Sequence, residues 1–103
     1  MARYLVTYHG GGMPGGDEAR QQAMAAFGAW VASVGSALID PGAPLGDTRT
    51  VSGDGVDVDP VDGRASGYSI LEAPGIDAAV DLVRAHPFVA RGGALQVHEA
   101  VAL

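Results

Sequence analysis

From Asp17 to about Val34, the apolar residues Ala23, Met24, Phe27, Trp30, Val31 and Val34 recur at three- and four-residue spacing. That period lines them up on one stripe of an α-helix, while Glu18, Gln21, Gln22 and Ser33 fall elsewhere on the wheel. Asp17 reads as the N-cap and Gly35 as a left-handed C-cap. A one-sided helix must lay its stripe against another layer, and the flanking residues indicate a sheet. Arg3 to Tyr8 is β-branched and aromatic and runs into a glycine cluster, which predicts a first strand. His9 to Gly16 is too rich in glycine for a regular element.

Beyond the helix, Ser36 to Asp40 predicts a second strand, broken by Pro41-Gly42-Ala43-Pro44 and continued or re-formed over Thr48 to Ser52. Gly53 to Ser66 mixes Gly, Pro, Asp and Arg and reads as a turn or hairpin. Gly67 to Ala73 predicts a third strand. Ile76 to Ala85 forms a second helix with Ala79, Val80 and Val83 on one face, stopped by Pro87. Gly93 to Val101 closes the chain as a strand. The order β-α-β-β-α-β is the split βαβ, ferredoxin-like arrangement. It predicts one α+β domain over residues 1–103, with a four-stranded antiparallel sheet and two helices on one of its faces. The strands are short and light, so the other face also needs cover. A second subunit's sheet is the expected cover, giving a homodimer of dimeric α/β barrel form.

Composition narrows the partners. Six Arg, no Lys and 12 acidic residues leave a net charge of −6. Phosphate contacts dominate nucleic-acid affinity, so no nucleic-acid partner is expected, and an anionic membrane surface is disfavoured for the same reason. The absence of Cys removes disulfides and thiolate chemistry. No signal-peptide stretch or long apolar span is evident, so a cytosolic address is the default expectation.

The topology gathers polar groups. With the first strand taken as running up, its end meets the N-terminus of the first helix, the end of the second helix and the starts of the third and last strands. His9, Asp17, Tyr68, His86 and Arg91 therefore share one end of the molecule. A cleft there suits acid–base chemistry, since imidazole titrates near neutrality and a carboxylate can orient it. His9, beside the glycine loop, is the expected catalytic group, with Tyr68, His86, Arg91 and Asp17 as substrate-binding candidates. Each also has a plainer reading. His86 before Pro87 suits a helix-end residue meeting the last carbonyls, Tyr68 a core or interface residue, Arg91 a solvated loop charge and His98 a partly exposed strand residue.

Other patterns are weaker. Gly10, Gly12 and Gly15 fit G-x-G-x-x-G, with Asp40 about 25 residues further on. However, Pro14 lies inside the motif, Asp17 and Glu18 would repel phosphate, and the chain is too short for a doubly wound sheet. Asp54, Asp57, Asp59 and Asp62 are interrupted by Pro60 and lack a closing Glu, so a solvated acidic turn is expected rather than a calcium loop. The three His lack paired ligand spacing. No metal and no cofactor is expected.

The opening Arg-Tyr-Leu-Val-Thr-Tyr-His-Gly-Gly resembles that of YCII-related domain proteins. So do Gly67 to Ala79, His86-Pro87-Phe88 and Gly92 to Val97. The resemblance covers nearly the whole chain and implies a dimeric α+β barrel like that of muconolactone isomerase, some members being proposed to use a His-Asp pair. The family's pocket His stands on the first helix, where this chain has no His around Ala26 to Ala29. At the end of the first strand, where some relatives carry Asp, this chain has His9. Asp59-Pro60-Val61-Asp62-Gly63 faintly echoes an Asp-Gly-Pro-Phe hairpin of a related subgroup. The dyad thus does not carry over residue by residue. Two readings follow: a small cofactor-independent enzyme of isomerase, lyase or dehydrochlorinase type using His9, and a non-catalytic homodimer that binds a small ligand or regulates a partner.

Overall fold

The computed structural model of the chain describes residues 1–10, 15–58 and 64–102. Strands β1 (Ala2–Gly10), β2 (Leu38–Pro44), β3 (Arg49–Ser52), β4 (Gly55–Val58), β5 (Gly67–Ala73) and β6 (Gly93–Glu99) alternate with helices α1 (Asp17–Val34), α2 (Ile76–Arg84) and the short α3 (Pro87–Ala90). Four strands form an antiparallel sheet in the order β2-β5-β1-β6. This α+β architecture is compatible with a ferredoxin-like fold, and none of its described helices is long and apolar enough to cross a membrane.

Period-two alternation sorts the strands into two faces. Tyr4 and Val6 of β1 are buried, and so are Gly67, Ser69, Leu71 and Ala73 of β5. Of these, Val6 and Leu71 meet Trp30 and Val34 of α1 and Val83 of α2 in one core cluster, and Tyr4 and Ala73 meet Ala79 of α2 in another. Trp30 Nε1 donates to the Leu82 carbonyl at 2.9 Å, tying the two helices together above the sheet. The intervening residues Arg3, Leu5, Thr7 and His9 point to the other face, where Leu5 is 39% exposed.

The helix expectation needs three adjustments. Gly16 is the N-cap of α1, while Asp17 opens the helix and places its charge, with that of Glu18, in the first turn. There the acidic groups favour the N-terminal dipole. Met24 is exposed, so the buried stripe is narrower than the apolar spacing implies. Gly35 has positive φ, as expected of a C-cap, but its ψ of −135° leads into a 3-10 turn, Gly35–Ala37.

The second strand differs more. Pro41 to Pro44, read as an interruption, belongs to β2, which continues past Asp40 through two register irregularities against β5. Gly42 makes this possible: its φ is 80°, and the Tyr68 carbonyl occupies the space a Cβ would fill. Asp40 Oδ1 accepts from the Gly42 amide at 2.8 Å and holds the irregular segment. Thr48 to Ser52 does not rejoin this strand. Its β3 pairs with β4 in a separate two-stranded ribbon, with Val51 opposite Val56. Gly12 and Pro14 of the glycine loop lie outside the described residues, as do Asp59-Pro60-Val61-Asp62-Gly63.

Candidate functional site

Four of the five residues expected to share one end divide between the two faces of the sheet. Adjacent strand residues point oppositely, so Tyr8 faces the helices while His9 faces away from them. His86 bonds to Tyr8 and is 3% exposed, which puts it on the helix side of the sheet. Arg91 lies there too, its guanidinium 5.6 Å from the Phe88 ring centroid. Asp17 is exposed at the start of α1. Tyr68 alternates with buried Gly67 and Ser69 and so shares the open face with His9. The single cleft expected from topology is thus two environments back to back.

On the helix side, the polar groups form a chain whose direction is fixed by proton counting. The Phe88 amide donates to His86 Nδ1 at 3.0 Å, so that nitrogen offers a lone pair. The neutral ring then carries its hydrogen on Nε2 and donates to Tyr8 Oη at 2.9 Å. Tyr8 donates to Ser69 Oγ at 2.8 Å, and Ser69 donates to the Pro41 carbonyl at 2.8 Å. His86 is therefore the N-cap of α3, with Pro87 in the first helical turn. Its side chain caps the start of the following helix, while its backbone amide meets the end of α2 by donating to the Val83 carbonyl at 3.0 Å.

The imidazole packs among aromatic rings, with its centroid 4.4 Å from that of Trp30, 5.0 Å from that of Tyr8 and 5.6 Å from that of Phe27. Burial there, aided by the Arg91 cation, lowers the His86 pKa to about 4. The same burial raises that of Tyr8 against the opposing effect of its Ser69 bond. Gly93 completes the packing, since a Cβ there would run into the Phe88 ring.

The open face holds a second arrangement. Thr7 Oγ1 lies 2.8 Å from His9 Nε2 and 3.0 Å from His98 Nε2. A hydroxyl has one hydrogen, so when Thr7 donates to one imidazole it accepts from the other. The two rings are thereby held in complementary roles, one offering a lone pair and the other an N–H. Tyr68 stands directly across from Thr7 on β5, and its hydroxyl lies 3.5 Å from Asp40 Oδ2. Arg3 and Glu72 pair further along the same face at 3.7 Å.

Thr7 and His98 were not among the sequence candidates. Period-two parity puts Thr7 with His9, but bringing His98 beside them requires the β1–β6 register, in which Leu5 opposes His98 and Thr7 opposes Gln96. Among the described residues, no group of three or more His, Cys, Asp or Glu is arranged to hold a metal ion. The chain matches no protein-family model, no curated protein and no solved structure.

Proposed function

We propose that this chain is a YCII-related homodimer of dimeric-barrel type that works as a small cofactor-independent enzyme of isomerase or lyase class, with His9 as its acid–base group. The observation that carries the reading is Thr7 Oγ1 between the Nε2 atoms of His9 and His98 on the sheet face turned away from the helices. Such an arrangement offers a proton acceptor and a proton donor close together, as general acid–base chemistry needs. Tyr68, paired with Thr7 in the β1–β5 register, is the group proposed to orient a substrate oxygen. Leu5 and Ile70, paired in register on the same face, supply apolar surface for a ring substrate or a second copy's sheet. His86 takes no part, because both of its ring nitrogens serve the buried chain.

A thermal-shift screen of the purified protein against small carboxylates, phenols and lactones tests this. A ligand binding only the folded state stabilises it by about 2.7 kcal/mol at a hundredfold excess over Kd. The expected result is a hit that disappears in His9→Ala while that variant keeps its own melting transition. A hit that persists in His9→Ala moves the site elsewhere. The alternative reading, a non-catalytic homodimer that binds a small ligand or regulates a partner, draws on the absence of a histidine from α1. It predicts ligand stabilisation without turnover and tolerance of a neutral replacement at His9.

A further inference from the structure

We infer that the free edge of β6 pairs with β6 of a second copy about a twofold axis through Gln96, joining two four-stranded sheets into one. The sheet has two edges, β2 and β6. The β2 edge is spoiled for pairing, because Pro41 and Pro44 lack amide hydrogens and two register irregularities disrupt the strand. Among the described residues, no strand pairs with the outer side of β6. Its seven residues keep unbroken register with β1 from Tyr4↔Glu99 to Gly10↔Gly93 and include no Pro, Lys or Arg. A regular edge of this kind is a template for another strand.

Backbone parity shows which groups are offered. The Ala100 amide donates to the Arg3 carbonyl at 2.9 Å, so Ala100 turns its polar groups toward β1. Alternation then turns the backbone groups of Ala94, Gln96 and His98 toward β1 and those of Gly93, Leu95, Val97 and Glu99 toward the free side.

The strand is complementary to itself in one register. Its midpoint is Gln96. Antiparallel pairing centred there sets Leu95 against Val97 of the second copy, Ala94 against His98 and Gly93 against Glu99. Outward-facing residues meet outward-facing residues, giving up to about eight backbone hydrogen bonds. Apart from the central Gln96 pair, each side-chain pair joins small to large or apolar to apolar, and no like charges are opposed. Leu95 and Val97, half-buried on the core side, gain cover from each other across the new seam. The two Gln96 side chains meet at a non-hydrogen-bonded position, where strands approach most closely. One seven-residue seam is a small interface, so the association depends on concentration.

This contact uses the strand edge and is independent of the face-to-face dimer proposed above. A cysteine scan separates the two, because the chain has no cysteine of its own. In the edge pairing, the two Gln96 Cα atoms lie about 4.5 Å apart, within disulfide reach. Two sheets stacked face to face are about 10 Å apart, beyond it. Gln96→Cys, oxidised with glutathione disulfide at high protein concentration, is expected to run largely as a disulfide-linked dimer on a non-reducing gel. Ala94→Cys, exposed on the same strand but set against His98, is expected to stay monomeric on that gel. Equal crosslinking of the two variants overturns the proposal. A second measurement avoids the disulfide: Gln96→Lys and Gln96→Glu should each lower the mass seen by light scattering, and mixing them in equal amounts should restore it. Failure of the mixture to restore the mass also overturns it.

Discussion

The imidazole of His86 and the phenol of Tyr8 meet at 2.9 Å, and the direction of their bond is decided on the far side of the ring. There the Phe88 amide occupies Nδ1, leaving Nε2 as the donor. A proton added to Nδ1 would face that amide hydrogen directly, so the geometry and the lowered pKa describe one preference for neutral His86.

This preference makes stability depend on pH. An imidazole in the unfolded chain titrates near 6.5, and that of folded His86 near 4. Between those values the unfolded state binds a proton that the folded state refuses, so stability rises with pH. The contribution is whole above about pH 6.5 and is lost as pH falls toward 4, amounting to on the order of 3 kcal/mol. The chain's one tryptophan, Trp30, lies against His86 and provides the signal. Urea midpoints followed by its fluorescence should fall from pH 7 to pH 4.5, and more steeply than in His86→Asn. Equal slopes in the two proteins would contradict the assignment.

Tyr8→Phe removes the middle of the buried chain. It leaves His86 Nε2–H without its acceptor and Ser69 Oγ without its donor. The expected cost is about 1–3 kcal/mol by chemical denaturation. Because the groups form one network, Tyr8→Phe combined with Ser69→Ala should cost clearly less than the two single changes added.

Gly42→Ala tests the irregular strand. At φ 80° an L-residue is strained, and its Cβ would meet the Tyr68 carbonyl. A loss of at least about 2 kcal/mol is expected. Gly46→Ala, where a Cβ meets nothing within 4 Å and φ is not positive, should change stability by less than about 0.5 kcal/mol. Similar effects at the two positions would mean that β2 does not take this path.

Thr7→Val separates positioning from folding at the open face. The substitution keeps a β-branched strand residue but removes the hydroxyl that bonds both His9 and His98. Its own unfolding midpoint should be close to that of the parent, while the ligand-induced thermal shift should drop toward that of His9→Ala. Thr7→Ser should restore the shift. A shift that survives in Thr7→Val would confine the role of Thr7 to the strand itself.

Much of the architecture was legible in local pattern. The three- and four-residue spacing around Trp30 names the buried side of α1, because the helix period determines which side chains fall together, whereas β1 and β5 carry apolar Leu5 and Ile70 on the face opposite Val6 and Leu71. Glycine and proline located most of the boundaries, but they misled at Pro41 to Pro44. Proline loses a ladder donor, yet it is tolerated on an edge strand, and β2 is an edge. Nothing within residues 38–44 states that.

The candidate site shows the same division. The residues themselves determined that a strand over Arg3 to Tyr8 turns Thr7 and Tyr8 to opposite sides, since side chains alternate along any strand, and the structure extends that strand through His9. They also implied that His86, Tyr68 and Arg91 return to the end where His9 lies. Only the tertiary structure decided that His86 and His9 stand on opposite sides of the sheet and that His98 joins His9 at Thr7. The first depends on which face of the sheet the helices cover. The second depends on the register between strands some 90 residues apart, where a slip of one residue would turn His98 to the other face.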